Sequence, residues 1–172
     1  MLIVLTDMIA NITKADYRKL ISSLDFSSLI CPCCHCTGMY EFAHYPRLIK
    51  NPKYHGKVLL TITRVRCLNE QCRATHAILP SSMIPNSQIP MADMIRIIEA
   101  QSSEDVKKIS DENIHISPEN IRLAKIRFKK FWKSRIENMR NTVGSEAFLS
   151  ECISIFQMCF MQTRMIKCFI LQ

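Results

Sequence analysis

The sequence predicts an α+β protein, with a cysteine-pinned antiparallel β unit in its first half and short helices in its second. Three observations carry this expectation. Six of the nine cysteines fall between residues 31 and 72, in two clusters. Strand-like stretches separate and follow those clusters as far as Pro80. From Met91 onward, apolar residues recur at helical spacing behind recognisable cap residues.

A chain of 172 residues with 48% hydrophobic content is long enough to bury a core, as one domain or two very small ones. Three glycines argue against a glycine-cradle architecture, and the common phosphate-binding loops are absent from the sequence. The apolar start, Met1 to Leu5, lacks a basic flank and meets Asp7 too early for a secretory leader. No run approaches 18 apolar residues, so no membrane span is expected. A cytoplasmic location with reduced thiols follows, in which clustered cysteines serve as metal ligands rather than disulfides.

The elements follow in order. Residues 1–30 hold a short buried strand, Leu2 to Leu5, and a helix from Lys14 to about Leu24 capped by Thr13. Residues 31–80 hold strands over 39–49, 57–66 and 75–79, the first two joined by a turn at Asn51, Pro52 and Gly56. The three prolines of 80–90 suggest a linker over 81–90. Residues 91–140 read as three helices, near 91–100, 104–112 and 118–140. Ser102 or Ser103 caps the second, and Ser117-Pro118-Glu119 starts the third. After Gly144-Ser145, residues 141–172 read as one apolar helix over roughly 146–171, either uniting the two halves or offering a homodimer interface.

The cysteines carry the clearest chemistry. Cys31-Pro32-Cys33-Cys34 is answered by Cys67-x4-Cys72. Four thiolates suit a tetrahedral Zn2+ ion, and two short turns brought together by a hairpin make a zinc ribbon. The 32 residues between Cys34 and Cys67 are filled by two long strands. The expected ligands are therefore Cys31, Cys34, Cys67 and Cys72, around one structural Zn2+ ion. The register stays open, because Cys33-x2-Cys36 is also a pair, and His35 and His76 are further donors. A closed four-thiolate site leaves no position for water, so it implies shape rather than catalysis.

The net charge of +8 is unevenly spread. Residues 31–90 carry seven Lys/Arg against two Asp/Glu, and residues 117–140 eight against two, whereas 91–116 carry three against six. In the first block Arg64, Arg66 and Arg73 lie on or beside the hairpin with Arg47, Lys50, Lys53 and Lys57. Tyr40, Phe42, Tyr45 and Tyr54 are interleaved among them. In the second block, helical projection puts Ile121, Ala124, Phe128, Phe131 and Trp132 on one face. Arg122, Lys129, Lys130 and Lys133 fall on the other, bordered by Lys125 and Arg127. Such surfaces grip phosphates, so double-stranded DNA is the expected partner. A protein partner that accepts the same basic faces is the alternative. No catalytic motif accompanies these residues, so a non-enzyme is expected.

The stretch Arg64-Val65-Arg66-Cys67, with Cys72-Arg73-Ala74-Thr75-His76-Ala77-Ile78-Leu79-Pro80 and the earlier Cys31-Pro32-Cys33-Cys34, resembles a bacterial zinc-ribbon family. That family is common in Firmicutes and their mobile elements, and is similar to the ribbons that precede transposase and integrase domains. Phe160-Met161-Gln162 fits it as well. The resemblance implies a DNA-binding accessory factor or regulator of a mobile genetic element. A recombinase's carboxylate triad is missing. The expected architecture is thus an N-terminal three-stranded antiparallel zinc ribbon followed by a helix-turn-helix-like half.

Overall fold

The computed structural model describes residues 1–6, 12–51, 56–113, 115–139, 143 and 146–171. Asp7, Pro52, Lys53, Tyr54, Arg140, Gly144 and Ser145, which figure in the expectations above, lie outside them. The protein is mixed α+β. In chain order it runs β1 (Leu2–Val4), α1 (Lys14–Ser22), a 3-10 turn (Phe26–Ser28), β2 (Met39–Asn51), β3 (Gly56–Cys67) and β4 (Thr75–Pro80). Then follow α2 (Met91–Glu99), α3 (Ser103–Glu112), α4 (Pro118–Phe131), α5 (Lys133–Glu137), α6 (Glu146–Phe156) and β5 (Phe169–Leu171).

Local sequence explains the starts of α1, α3 and α4. Thr13, Ser102 and Ser117 each accept a hydrogen bond from the backbone N–H three residues on. The side-chain oxygens of Asp16, Asp105 and Asn120 accept in turn from the N–H of the cap residue. Pro118 occupies the first turn of α4, where its missing N–H costs nothing.

The sheet has five strands in the order β2-β3-β4-β1-β5. Strands β2, β3 and β4 run antiparallel, with Arg64 opposite Ala77 and a bulge between Glu41 and Ala43. The sheet does not stop at three strands, as the ribbon expectation has it. β1 adds in parallel to β4, Leu2 opposite Ile78, and β5 adds in parallel to β1. The reason lies in β1 itself. Leu2 and Ile3 are both fully buried, Leu2 in one core and Ile3 in the other. A strand apolar on both faces belongs inside a covered sheet, not at its margin.

Two cores result. The smaller joins Leu2, Leu29, Met39, Val65 and Ile78 with the thiols of Cys31 and Cys67. The larger joins Ile3, Leu60, Ile62 and Leu79 to the helices through Met94, Ile97, Ile121, Trp132, Phe148 and Phe160.

Three expectations about the second half are corrected. Residues 81–90 are not a linker: Ser81 to Pro85, Ile89 and Pro90 are buried. The guanidinium of Arg47 on β2 donates to the carbonyls of Ile84 and Ser87, and the Lys50 N–H donates to the Gln88 carbonyl at 2.8 Å. The third helix does not run to Arg140. It ends at Phe131, because Trp132 leaves helical geometry (φ −124°, ψ −25°) as its ring enters the core and its Nε1 donates to the Gln162 carbonyl at 2.9 Å. Nor does the last helix reach residue 171. It ends at Phe156, and Gln157 and Met161 adopt left-handed backbone (φ 52° and 62°) that turns the chain back to β5.

Buried Gln162 makes that turn possible. Its Oε1 accepts from the Cys159 N–H, and its Nε2 donates to the carbonyls of Arg164 and Ile166. Both ends of the amide are satisfied, as a buried polar group requires.

Candidate metal centre

Two short loops present the cysteines. The first leaves the 3-10 turn and closes on itself: the Cys31 N–H donates to the Cys36 carbonyl and the His35 N–H to the Cys31 carbonyl, each at 2.9 Å. His35 takes the left-handed φ of 60° that so tight a return demands. The second links β3 to β4. There the Asn69 carbonyl accepts from the N–H groups of Cys72 (3.0 Å) and Arg73 (2.9 Å), and its side-chain oxygen accepts from the Gln71 N–H.

Gly38 locks the loops together. Its N–H donates to the Leu29 carbonyl and its own carbonyl accepts from the Leu68 N–H. Its φ of 104° suits glycine, and a Cβ there would lie 2.9 Å from Leu68 Cδ1.

The thiols of Cys31, Cys34, Cys67 and Cys72 converge, with sulfurs all within 4.8 Å of one another. Cys31 Sγ lies 3.8 Å from Cys72 Sγ, and Cys34 Sγ lies 3.6 Å from Cys67 Sγ. Sulfurs about 2.3 Å from a common tetrahedral ion stand about 3.8 Å apart, so the four positions fit a metal ion with little movement.

The structure therefore brings together the 31/34 and 67/72 pairs. Cys36 stands outside this group, accepting from Asn69 Nδ2 at 3.1 Å. Cys33 points to solvent. His76 is buried beside the cluster, its Nε2 3.4 Å from Cys31 Sγ.

Electrostatics separate the thiols. Burial pushes Cys31 up, but hydrogen bonds from the N–H groups of Cys34 and Cys33, and from neighbouring thiols, outweigh it and hold it down at about 7. Burial takes Cys67 the other way, up to about 12. Cys31 thus ionises more readily than Cys67. Burial also holds the His76 imidazole down at about 4.

The expected phosphate-gripping residues fall into two groups. Arg64 and Arg66 share one face of β3. Arg64 donates to Thr75 Oγ1 at 2.6 Å, and the Arg66 guanidinium lies 3.3 Å above the centre of the Phe42 ring, at the β2 bulge. Arg73 is exposed in the second loop, at a left-handed φ of 43°.

The others ride on α4 and α5. Arg122 is engaged bidentately by Glu119 at 2.8 and 2.7 Å, and Lys125 donates to the Ala100 carbonyl. Lys129, Lys130 and Lys133 are exposed, with Lys130 over the Phe131 ring and Lys133 3.8 Å from Glu137. Phe131, expected on the apolar face, is partly exposed, as are Leu123 and Ile126. Arg47 and Lys50, read as hairpin surface, are instead spent internally: Arg47 on the 81–90 segment, and the Lys50 ammonium on Asn120 Oδ1.

A cleft of about 650 Å³ lies between α1 and the β2–β3 hairpin, with Lys14, Arg18, Glu41, His44 and Leu59 in its walls. Sequence reasoning missed it, because only the packing of α1 on β3 creates it. It also missed Asn69, although an Asx residue inside a cysteine loop is a turn signal in its own right.

Among the described residues, no helix is long and apolar enough to cross a membrane. A family described as a domain of unknown function, DUF6431, matches residues 31–116, which is half of the chain. The match spans both cysteine loops, the hairpin and the segment through α3. No curated protein and no solved structure matches.

Proposed function

The chain belongs to the DUF6431 family, and from its residues we propose that it is a non-enzymatic, zinc-containing protein that binds double-stranded DNA. One observation carries the reading: a cluster of four convergent thiols stands in the same fold as exposed basic side chains on α4. Four thiolates favour zinc, which would hold both loops in shape and leave no open position for chemistry. The finer architecture belongs to the same proposal. β2–β4 with the two loops form the zinc-ribbon part of the sheet, and α2–α4 form a helix-turn-helix-like unit with α4 as the groove-facing helix.

Ile121 and Ala124 bury the back of α4, while Arg127, Lys129 and Lys130 face outward. Arg64, Arg66 and Arg73 supply a second set of cations near the metal centre. A role as accessory factor or regulator of a mobile genetic element rests on the sequence resemblance alone.

Anisotropy of labelled random duplex DNA, titrated with metal-loaded protein across a salt series, tests the reading. Binding that falls steeply with salt supports it, because released counterions drive phosphate contacts. An absence of binding at low salt refutes it. A second reading is favoured by Leu123, Ile126 and Phe131, exposed among the same cations. A mixed apolar and basic face of this kind also suits a protein partner, whose affinity would survive salt.

A further inference from the structure

We propose that Cys31, Cys33 and His76 form a second metal site, sharing the Cys31 sulfur with the four-thiolate centre as a bridging ligand. The inference rests on the four-thiolate reading above. Sγ of Cys31, Sγ of Cys33 and a ring nitrogen of His76 all lie within 4.8 Å of one another.

Distance and chemistry agree. Cys31 Sγ and His76 Nε2 are 3.4 Å apart. A thiolate and an imidazole bound to one tetrahedral ion, at about 2.3 and about 2.05 Å, stand about 3.6 Å apart. The Cys31 sulfur is common to this trio and to the four-thiolate cluster, and His76 Nε2 meets the cluster at that corner. A dication held by four thiolates carries a net negative charge, which attracts a second cation. A thiolate has lone pairs for two ions. Cys33 is exposed, so it gives the ion a route in and leaves solvent to fill the fourth position. Binding releases one proton from the Cys33 thiol to solvent, while Cys31 is already a thiolate on the first ion and His76 enters as the neutral imidazole.

The site is built by the loop rather than by chance exposure. The Cys33 N–H donates to Cys31 Sγ at 3.4 Å, which ties the backbone of residue 33 to the shared sulfur. This also gives a use to a C-P-C-C sequence in which the ribbon needs only the first and last thiols.

Titration of the reduced, chelator-stripped full chain with Co2+ and then Zn2+ tests the proposal, with bound ions counted by mass spectrometry under native conditions. The wild type should take up two ions in two steps, the second at least ten-fold weaker. Cys33→Ser, at an exposed position, should take up one ion and keep the wild-type far-ultraviolet spectrum, and Cys36→Ser should still take up two. His76→Ala should match Cys33→Ser, and if its buried position prevents folding, Cys33→Ser decides. One ion in the wild type overturns the second site and leaves the first standing. Two ions in both wild type and Cys33→Ser also overturn it, since the second ion then sits elsewhere. No ion in any variant removes the four-thiolate reading together with this one.

Discussion

The phenol of Tyr17 accepts a hydrogen bond from the backbone N–H of Thr63 at 3.0 Å, and donates one to the Ile78 carbonyl at 2.9 Å. In the register set by Arg64 opposite Ala77, Thr63 and Ile78 are the next facing pair. A side chain from α1 thus stands between two strands where the ladder between them ends. It satisfies one donor and one acceptor that would otherwise be buried and unpaired.

Tyr17→Phe keeps the ring and removes both bonds. A buried group left without a partner costs about 1–3 kcal/mol, so the loss should be about 2–4 kcal/mol. Denaturant unfolding at neutral pH measures it. A loss under about 0.5 kcal/mol would mean that β3 and β4 zip together once the hydroxyl is gone.

Metal removal should act locally. Cys31 and Cys67 belong to the smaller core, with Leu2, Val65 and Ile78, whereas Trp132, Phe148 and Phe160 build the larger one without a thiol ligand. A chelator should therefore speed hydrogen exchange at the N–H groups of Cys31, His35 and Arg73 by at least ten-fold. Exchange in α2, α4 and α6 should stay close to its original rate. Equal acceleration everywhere would show that the two cores unfold as one unit. Cys34→Ser should abolish tight metal binding and Cys36→Ser should retain it, which fixes the ligand register by experiment.

Much of this was legible in the sequence. Thr13, Ser102 and Ser117 cap the helices they precede, because caps are local and need no tertiary information. The convergence of Cys31/Cys34 with Cys67/Cys72 was also expected from the sequence, although Cys33-x2-Cys36 has the same spacing and only the fold sets Cys33 and Cys36 apart from the cluster. What escaped was set at a distance. Gln162 turns the chain away from helix through bonds to backbone on both sides, and nothing in the 146–171 pattern marks that turn, since a buried turn is as apolar as a buried helix. The 81–90 segment reads as linker from its prolines, yet Arg47, far back along the chain on β2, holds its carbonyls.

Asp93 gives a pH prediction. Its carboxylate is buried on α2, with Asn113 Nδ2 donating at 3.1 Å and Arg96 at 3.8 Å. Burial raises its pKa above the ordinary value, outweighing Asn113 and Arg96, which lower it. The folded chain thus holds this proton more tightly than the unfolded chain. The stability linked to Asp93 is present in full below the ordinary carboxyl range, near pH ~4, and is lost as pH rises through the raised folded value. Asp93→Asn removes the titration and can still accept from Asn113. Measured against wild type, with both proteins metal-loaded, the variant should gain relative stability from about pH 4 toward about pH 7. A difference independent of pH would show that Asp93 titrates normally.

Gly38 tests how the two loops are coupled. Its left-handed φ and its bond to the Leu68 N–H place the second cysteine loop against the first. Gly38→Ala imposes a strained backbone of about 1–3 kcal/mol and sets a methyl against Leu68. Apparent metal affinity should fall about ten-fold or more, measured by competition with a chromophoric chelator, while all four thiols remain. Pairing it with Leu68→Ala, which clears the near atom, should recover the steric part and leave the backbone part. Unchanged affinity in Gly38→Ala would show that the metal alone sets the spacing of the loops.

The basic face of α4 separates a DNA partner from a protein partner. Lys129 and Lys130 are exposed, whereas Arg122 is engaged bidentately by Glu119. If α4 lies along phosphates, reversing Lys129 and Lys130 to Glu should weaken duplex binding. The slope of log K against log salt should drop by about 0.9 for each phosphate no longer neutralised. Arg122→Glu should do less, because its guanidinium is already held by a carboxylate. Ile126→Ser, in the apolar part of the same face, adds no charge and should leave the slope unchanged. Equal slopes for wild type and the double reversal, with capture of a partner abolished by Ile126→Ser, would move this face from nucleic acid to protein. Steep wild-type salt dependence that the double reversal leaves intact would instead place the phosphate-binding surface on Arg64, Arg66 and Arg73, beside the metal centre.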